Sequence, residues 1–192
     1  MKPTNHISRR HALAAGVGAA ALTIVPRHVL GGAEQTAPSE KLDIAGVGVG
    51  GMGAGDVRSV AAQHNIVALC DPDRRALDRN ARLYPQAKLY ADYRKMLETQ
   101  KNIDAVMVAT PDHHHAAVTM MAIKMGKHVH CQKPLTHSVY EARVIGQAAR
   151  EHKVATQMGN FGQASEGARL IAETIWSGAI GTVREIHGGS NR

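Results

Sequence analysis

The fold is decided by residues 42–53, which read LDIAGVGVGGMG. The apolar run at 42–47 predicts a short strand, and it leads directly into Gly48-Val49-Gly50-Gly51-Met52-Gly53, a G-x-G-x-x-G pattern followed by helical periodicity over 54–64. In this pattern the first glycine permits a tight turn, the second lets a pyrophosphate approach the main chain, and the third lets the helix pack closely on the strand. The stretch therefore predicts a strand, a phosphate-binding turn and a helix. Gly46, Gly48 and Gly51 also fit the spacing, so the frame of the pattern stays open.

Short apolar runs alternate with helical segments along the rest of the chain. Strands are predicted at 42–47, 66–70, 105–109, 128–131 and 154–157, and helices at 54–64, 73–83, 115–126 and 138–152. Asp73 and a capping box from Ser138 to Glu141 mark helix starts, and Gly126 marks a helix stop. Strict alternation of strands and helices is typical of a parallel sheet covered on both faces. The predicted fold class is therefore α/β, a Rossmann-type doubly wound parallel sheet.

An acidic residue, Asp71, follows the second predicted strand, 18 residues after Gly53. At this place a dinucleotide-binding domain presents a carboxylate to a ribose 2′-hydroxyl, whereas Arg74 and Arg75 just beyond it could pair with a 2′-phosphate. We therefore expect NAD or NADP as the cofactor, with NAD favoured. The structural alternative is that the glycines only pack a helix on a strand and that Asp71 is a turn residue.

Polar residues follow two further predicted strands, at the edge where open parallel sheets bind ligands. Thr110-Pro111-Asp112-His113-His114-His115 follows the run at 105–109, and Gln132-Lys133-Pro134 follows the run at 128–131. We expect both segments to face the cofactor, with the histidines in a hydrogen-bonding loop over it. Histidine and cysteine also bind metals, but His130 and Cys131 would point to opposite faces of one strand, and no C-x-x-C or H-E-x-x-H spacing occurs. No metal site is predicted.

Together these motifs resemble the Gfo/Idh/MocA oxidoreductases, the family of glucose–fructose oxidoreductase and inositol dehydrogenase. The resemblance is carried by Gly48 to Gly53, by Thr110-Pro111-Asp112 with His115, and by Lys133-Pro134, and it runs from about residue 41 to the end of the chain. Members of this family have a Rossmann domain followed by an α/β domain with a large open sheet. The cofactor-binding residues expected from the motif and the resemblance are Gly48, Gly50, Gly51, Met52, Gly53, Asp71, Arg75, Thr110, Pro111, His115, Lys133 and Pro134.

The resemblance implies an NAD(P)-dependent oxidoreductase that transfers hydride to or from a sugar, a polyol or a related carbohydrate. Lys133 would be the catalytic residue of this chain, contacting the reacting hydroxyl and helping to steer its proton. The family usually has Glu before this lysine, whereas Gln132 stands here and lacks the negative charge. Two alternatives stay open: an NAD-dependent glycosidase of the same family, and a non-catalytic dinucleotide-binding module. For the full-length protein we also expect a homo-oligomer.

Residues 1–33 are predicted to be an export signal. Ser8-Arg9-Arg10 precedes an apolar run at 12–25, which is shorter than the roughly 18 residues of a membrane-spanning helix, and Gly31-Gly32-Ala33 suits a signal peptidase. The paired arginines resemble a twin-arginine signal, which implies a periplasmic protein without a stable membrane anchor. Residues 34–40 would be a linker, 41–160 the NAD(P)-binding Rossmann domain, and 161–192 the start of a truncated second α/β domain.

Composition and charge exclude other classes of protein. The chain has 192 residues, 44% of them hydrophobic, which suits one globular domain and excludes a disordered tail or a collagen-like fibre. The net charge is +7, but residues 1–33 hold four basic residues and no acidic one, so the remainder carries only +3 and nucleic-acid binding is not expected. Near the C-terminus a helix is predicted at 166–176 and the opening of a strand at 181–187. No later strand could pair with it, so we expect the chain to be part of a longer protein.

Overall fold

The computed structural model describes residues 36–189. The predicted export signal at 1–33 lies outside these residues. A short 3-10 turn at Pro38–Glu40 lies in the segment that precedes the domain, and the domain itself is built from Leu42 onward. Within the described part of the chain, no helix is both long and apolar enough to cross a membrane.

The domain is organised around a parallel sheet of six strands among the described residues. In chain order these are β1 (Asp43–Val47), β2 (Asn65–Cys70), β3 (Lys88–Tyr90), β4 (Ala105–Val108), β5 (His128–Gln132) and β6 (Thr156–Gly159). Their spatial order is β3-β2-β1-β4-β5-β6, so the winding reverses beside β1, which pairs with both β2 and β4. This order confirms the predicted Rossmann-type doubly wound fold.

Five helices connect the strands and cover both faces of the sheet, and two more follow β6 in the described part of the chain. They are α1 (Gly51–Ala61), α2 (Arg74–Ala81), α3 (Tyr93–Thr99), α4 (His115–Lys124), α5 (Val139–Glu151), α6 (Phe161–Ala164) and α7 (Glu166–Trp176). Asp73 caps α2 by accepting a hydrogen bond from the Arg75 N–H, and Ser138 with Glu141 forms the predicted capping box at α5. These side chains satisfy N–H groups that a helix start otherwise leaves unpaired.

Alternate residues of the central strands are buried on opposite faces of the sheet. In β1, Ile44 packs with α1 and α2, whereas Ala45 and Val47 face the layer that contains α3, α4 and α5. In β4, Met107 lies in the first layer and Val106 in the second. Burial on both faces explains why these strands are almost continuously apolar in sequence.

The sequence prediction missed or misplaced several elements. Strand β3 and helix α3 were missed, because three residues and seven residues give too little periodicity to recognise. Helix α1 begins at Gly51 rather than at residue 54, because the prediction started the helix after the glycine pattern, whereas Gly51 and Gly53 belong to its first turn. The strand predicted at 181–187 does not form, since no described residue pairs with this segment.

Candidate functional site

The glycine turn after β1 has the tight geometry that its sequence predicted. Gly48 has a φ of +79°, and a Cβ atom there would lie 2.5 Å from the carbonyl oxygen of Ala109 and 2.8 Å from the nitrogen of Thr110. A Cβ at Gly53 would overlap the carbonyl oxygen of Gly48 and lie 3.0 Å from the Ala109 Cβ. Any larger residue at either position would force the turn away from the end of β4.

Gly50 differs from these two glycines because open space surrounds it. A Cβ there would come no closer than 3.8 Å to a neighbouring heavy atom, the Oδ2 of Asp71. Packing within the protein therefore does not require glycine at this position, whereas a ligand lying against the main chain would. Gly46 lies inside β1, where a Cβ would be 2.7 Å from Val57 Cγ2, so the turn uses Gly48, Gly50 and Gly53 as its frame.

The start of helix α1 presents unpaired donors to the same open space. Gly50 is the N-cap residue and has no side chain to accept from the first N–H groups of the helix. Gly51 and Met52 in the first turn are exposed, and the first turn contains no acidic residue. Free N–H groups and the positive end of the helix dipole therefore form a site for an anion such as a pyrophosphate.

Asp71 holds this glycine turn in place. Its Oδ2 accepts hydrogen bonds from the N–H groups of Val49 at 2.9 Å and Gly50 at 3.2 Å, and its Oδ1 accepts from the Asp73 N–H at 2.8 Å. The side chain is nearly buried, yet it borders the cleft described below. Each carboxylate oxygen accepts about two hydrogen bonds, so Oδ1 retains capacity for a ribose hydroxyl. Asp71 is thus a turn residue as well as the candidate ribose acceptor.

Asn80 supports the same turn from below, and the sequence analysis missed it. Its Nδ2 donates to the carbonyl oxygens of Val49 and Ala76, both at 2.9 Å, and the side chain is buried. Its position in α2, on the buried face that also carries Ala76 and Leu77, is the signal that could have revealed it. A polar residue on a buried helix face needs a fixed hydrogen-bond partner.

Arg75 lies outside the cleft in this structure. Its guanidinium Nε is 3.2 Å from Asp73 Oδ1, and its side chain is 86% exposed. Hydrogen bonds from the Arg75 guanidinium and backbone N–H hold the pKa of Asp73 below its ordinary value. Arg74 pairs in the same way with Asp78. Both arginines predicted as candidates for a 2′-phosphate are therefore engaged with acidic neighbours.

A cleft of about 600 Å³ lies at the carboxyl ends of β1, β2 and β4. Of the predicted residues, Gly48, Gly50, Asp71, Thr110 and Pro111 border it. The rest of its wall is formed by the segment from Ala91 to Arg94 and by Val47, Cys70, Pro72, Ala109 and His114. The volume and the position at the reversal of strand order are typical of a nucleotide site in a doubly wound sheet.

An aromatic group at this cleft combines His113 and His114, which the sequence placed near the cofactor, with Tyr93, which the sequence analysis missed. The Tyr93 ring meets His114 edge-on with centroids 6.2 Å apart, and His113 stacks on His114 at 5.4 Å. The Arg94 guanidinium lies 5.7 Å from the centre of the Tyr93 ring and also pairs with Asp92. Because Tyr93 and Arg94 belong to the unrecognised helix α3, only the N-cap pattern at Asp92 could have indicated them.

His115 was predicted to contact the cofactor, and the structure gives it a different place. Its ring is 1% exposed, with Nδ1 at 2.6 Å from the carbonyl oxygen of Pro134 and Nε2 at 2.8 Å from that of Thr110. The ring therefore has no surface left for a ligand. It instead joins the segment after β4 to the segment after β5, the two segments that the sequence placed at the ligand edge.

Lys133 stands at that edge, directly after β5. Its side chain is exposed, and among the described residues its ammonium group takes part in no ion pair. The preceding residue, Gln132, reaches across to helix α1, where its Nε2 donates to both carboxylate oxygens of Asp56. Lys133 is not among the residues that border the cleft, but it follows a segment that is hydrogen-bonded to helix α1.

The family of this chain is identified by comparison with known proteins. A model of the Gfo/Idh/MocA group, described as "Oxidoreductase family, NAD-binding Rossmann fold", matches residues 42–160, more than half of the chain. The chain belongs to this family. The match confirms the resemblance drawn from the glycine turn, the threonine–proline segment and the lysine–proline pair.

Curated Gfo/Idh/MocA relatives include sugar and polyol dehydrogenases. A D-xylose 1-dehydrogenase (NADP(+)) of Hypocrea jecorina is 34% identical over 135 residues, covering 68% of this chain and 33% of that protein. An inositol 2-dehydrogenase of Salmonella paratyphi B is 30% identical over 150 residues, covering 74% of this chain and 44% of that protein. Among solved structures, myo-inositol 2-dehydrogenase of Lactobacillus plantarum aligns with a TM-score of 0.67 at 25% identity, over 74% of this chain and 43% of that one. The chain spans less than half of the length of these relatives.

The cysteines of this Gfo/Idh/MocA domain are not poised for nucleophilic chemistry. Burial, together with the charges of Asp71 and Asp92, raises the pKa of Cys70 to about 12, and burial also raises the pKa of Cys131. Both thiols are therefore neutral at physiological pH. Within residues 36–189, no group of three or more His, Cys, Asp or Glu side chains could hold a metal ion.

Proposed function

We propose that the chain is the cofactor-binding part of an NAD(P)-dependent oxidoreductase acting on a sugar, a polyol or a related carbohydrate. The main observation behind this proposal is the open space at Gly50. Gly50 is the N-cap of α1, and its N–H donates to the Asp71 carboxylate. Family membership and the names of the dehydrogenase relatives support the choice of reaction.

The residues of the cleft fit a nicotinamide dinucleotide. The N–H groups at the start of α1, from Gly51 to Gly53, would hold the pyrophosphate next to Gly50, and Asp71, which borders the cleft, would accept from a ribose hydroxyl. We propose NAD rather than NADP, because the Asp71 carboxylate would repel a 2′-phosphate while Arg75 is already paired with Asp73. Titration with NADH and NADPH tests this choice, which predicts tighter binding of NADH.

Lys133 would act on the substrate. A bound nicotinamide would supply the acceptor or donor of the hydride. The Lys133 ammonium would donate a hydrogen bond to the reacting oxygen and stabilise its developing negative charge. In reduction the ammonium would give a proton to that oxygen, and in oxidation the neutral amine at Nζ would accept the hydroxyl proton. Because Lys133 is exposed here and has no acidic partner among the described residues, it is free to take this contact.

The change Lys133→Met in the full-length gene product tests this role. Turnover with a carbohydrate substrate should fall by about a hundredfold or more, the scale of a lost acid–base or charge-stabilising group, while the Kd for NADH stays within a few fold. Lys88→Met, which removes another exposed lysine from β3, should leave turnover unchanged. Unchanged turnover in Lys133→Met would remove this residue from the mechanism. NADH binding without any hydride transfer by the wild-type protein would favour a non-catalytic module.

We further propose that the protein is exported to the periplasm by its paired arginines, Arg9 and Arg10, after folding around its cofactor, and that it carries no stable membrane anchor. The order of basic, apolar and small residues over 1–33 supports this proposal. Replacing both arginines with lysine should keep the protein in the cytoplasm, as measured by cell fractionation. We also propose a homo-oligomer, for which native mass spectrometry should give more than one subunit.

A further inference from the structure

Gln132 is hydrogen-bonded to a residue that lies far from it in sequence. It is the last residue of β5, and its Nε2 lies 3.1 Å from Oδ1 and 2.9 Å from Oδ2 of Asp56, which is 76 residues earlier in the chain. Asp56 belongs to α1, the helix whose first turn would receive the pyrophosphate. The amide must present its NH₂ group here, because its carbonyl oxygen would be repelled by the carboxylate.

The neighbouring strand leaves room for this amide. Gly159 of β6 is the register partner of Gln132, and a Cβ there would lie 2.9 Å from Cδ and Oε1 and 3.0 Å from Nε2 of Gln132. Gly159 is buried and is not among the glycines with positive φ, so space rather than backbone conformation is what it provides. The side chain of Gln132 is thus held between β6 on one side and α1 on the other.

The amide also contacts the residue that follows it. Oε1 of Gln132 lies 3.4 Å from the backbone nitrogen of Lys133, which donates to it. A single side chain therefore connects the backbone of Lys133 to the carboxylate on helix α1. Movement of α1 relative to the end of β5 would have to break the contact with Asp56 or carry Lys133 along.

The pair combines one negative charge with a neutral hydrogen-bond donor. Asp56 provides a carboxylate and Gln132 a neutral donor, so the contact places no second negative charge in this half-buried space. A glutamate at position 132, the residue that the family resemblance leads one to expect, would put two carboxylates about 3 Å apart and raise the pKa of one of them. A neutral donor such as Gln132 therefore suits the Asp56 carboxylate, and a second carboxylate does not.

We propose that Gln132 and Asp56 form a positioning pair that fixes Lys133 relative to the pyrophosphate-binding helix. The proposal rests on the proposed function of Lys133 as the group that contacts the substrate oxygen. It assigns to Gln132 and Asp56 no contact with substrate or cofactor. Their effect is on where Lys133 lies once the cofactor has bound to α1.

Exchange of the charge between the two positions tests the pair without changing side-chain volume. In the full-length gene product, Gln132→Glu should lower kcat at least tenfold with little change in the Kd for NADH, and it should lower the urea midpoint. Adding Asp56→Asn places the amide on α1 and the carboxylate on β5. This double variant should restore kcat to within about threefold of wild type and should also restore the urea midpoint. The matched control is Gln147→Glu in α5, where Gln147 donates to Glu151 at 2.8 Å on an exposed helix face. This control should change neither quantity.

The outcomes separate this proposal from the proposed function. Should Gln132→Glu leave kcat unchanged while Lys133→Met abolishes turnover, the positioning pair is refuted and the function stands. Recovery of the urea midpoint but not of kcat in the double variant would also refute it, since the pair would then be structural only. If Lys133→Met retains full turnover, the proposed function itself fails.

Discussion

Replacing Asp71 with asparagine removes one negative charge from the centre of the nucleotide site without changing its shape. The wild-type carboxylate accepts from three backbone N–H groups, those of Val49, Gly50 and Asp73. In Asp71→Asn the remaining oxygen can replace Oδ2 and accept from Val49 and Gly50. The new NH₂ group then faces the Asp73 N–H, so two donors meet and that hydrogen bond is lost.

The structure sets the size of this effect. Hydrogen bonds to a charged group contribute about 1.5–3 kcal/mol each, and those to a neutral acceptor about half as much. The lost bond to Asp73 falls at the low end, because Asp73 is exposed and its N–H can reach water. Two further bonds in the buried turn each lose about half of their contribution, so the expected loss is about 3–4.5 kcal/mol in the free energy of unfolding.

Urea unfolding of the purified chain measures this loss, and titration calorimetry with NADH measures its consequence for binding. We expect at least a tenfold weaker Kd in Asp71→Asn, because the turn is less ordered and the ribose loses its acceptor. Asp78→Asn is the matched control, since it removes an exposed ion pair with Arg74 and should cost less than about 0.5 kcal/mol. If Asp71→Asn unfolds within 0.5 kcal/mol of wild type, roughly the scale of the surface control, the assigned role in holding the turn is wrong.

Two further predictions follow from the pKa shifts. Because the pKa of Cys70 is raised to about 12, its thiol should not react with a disulfide reagent at pH 8 in the folded chain. The thiol should react once urea unfolds the chain. Rapid labelling of the folded chain would contradict the burial of Cys70. Hydrogen bonds from Arg75 lower the pKa of Asp73 in the folded state. The ionised Asp73 therefore stabilises the fold above its ordinary pKa of 3.8, and this stabilisation is lost as the pH falls through the lowered pKa of the folded state. The urea midpoint should therefore fall less between pH 6 and pH 2.5 in Asp73→Asn, which keeps a capping side chain, than in wild type; an equal fall would refute the linkage.

The fold could be predicted from sequence because its local signals agree with one another. The glycine turn, the caps at Asp73 and Ser138, and the buried apolar strands each specify a unit of the same alternating pattern. The signals failed where an element was very short, as with β3 at Lys88–Tyr90, or where a strand had no partner, as at 181–187. Residue pattern alone does not form a strand, because a strand needs a neighbouring strand for its hydrogen bonds.

The candidate site was predicted only in part, because several of its contacts join distant segments. Proximity of Asp71 to the glycine turn follows from the strand order, so the sequence could place it. The burial of His115 between the carbonyl groups of Thr110 and Pro134 depends on the packing of two loops, which no periodicity records. The contact of Gln132 with helix α1 likewise became visible only once the ends of β5 and β6 were known.

Binding of a nicotinamide dinucleotide at the open glycine is tested most directly by titration calorimetry of the full-length gene product and its Gly50→Val variant. Wild type should bind NADH at one saturable site per chain. The variant should show no binding while still unfolding in one cooperative transition, because the added Cβ would lie 3.8 Å from the nearest protein atom. Failure of folded wild type to bind either NADH or NADPH, or equal affinity in the variant, would contradict the site.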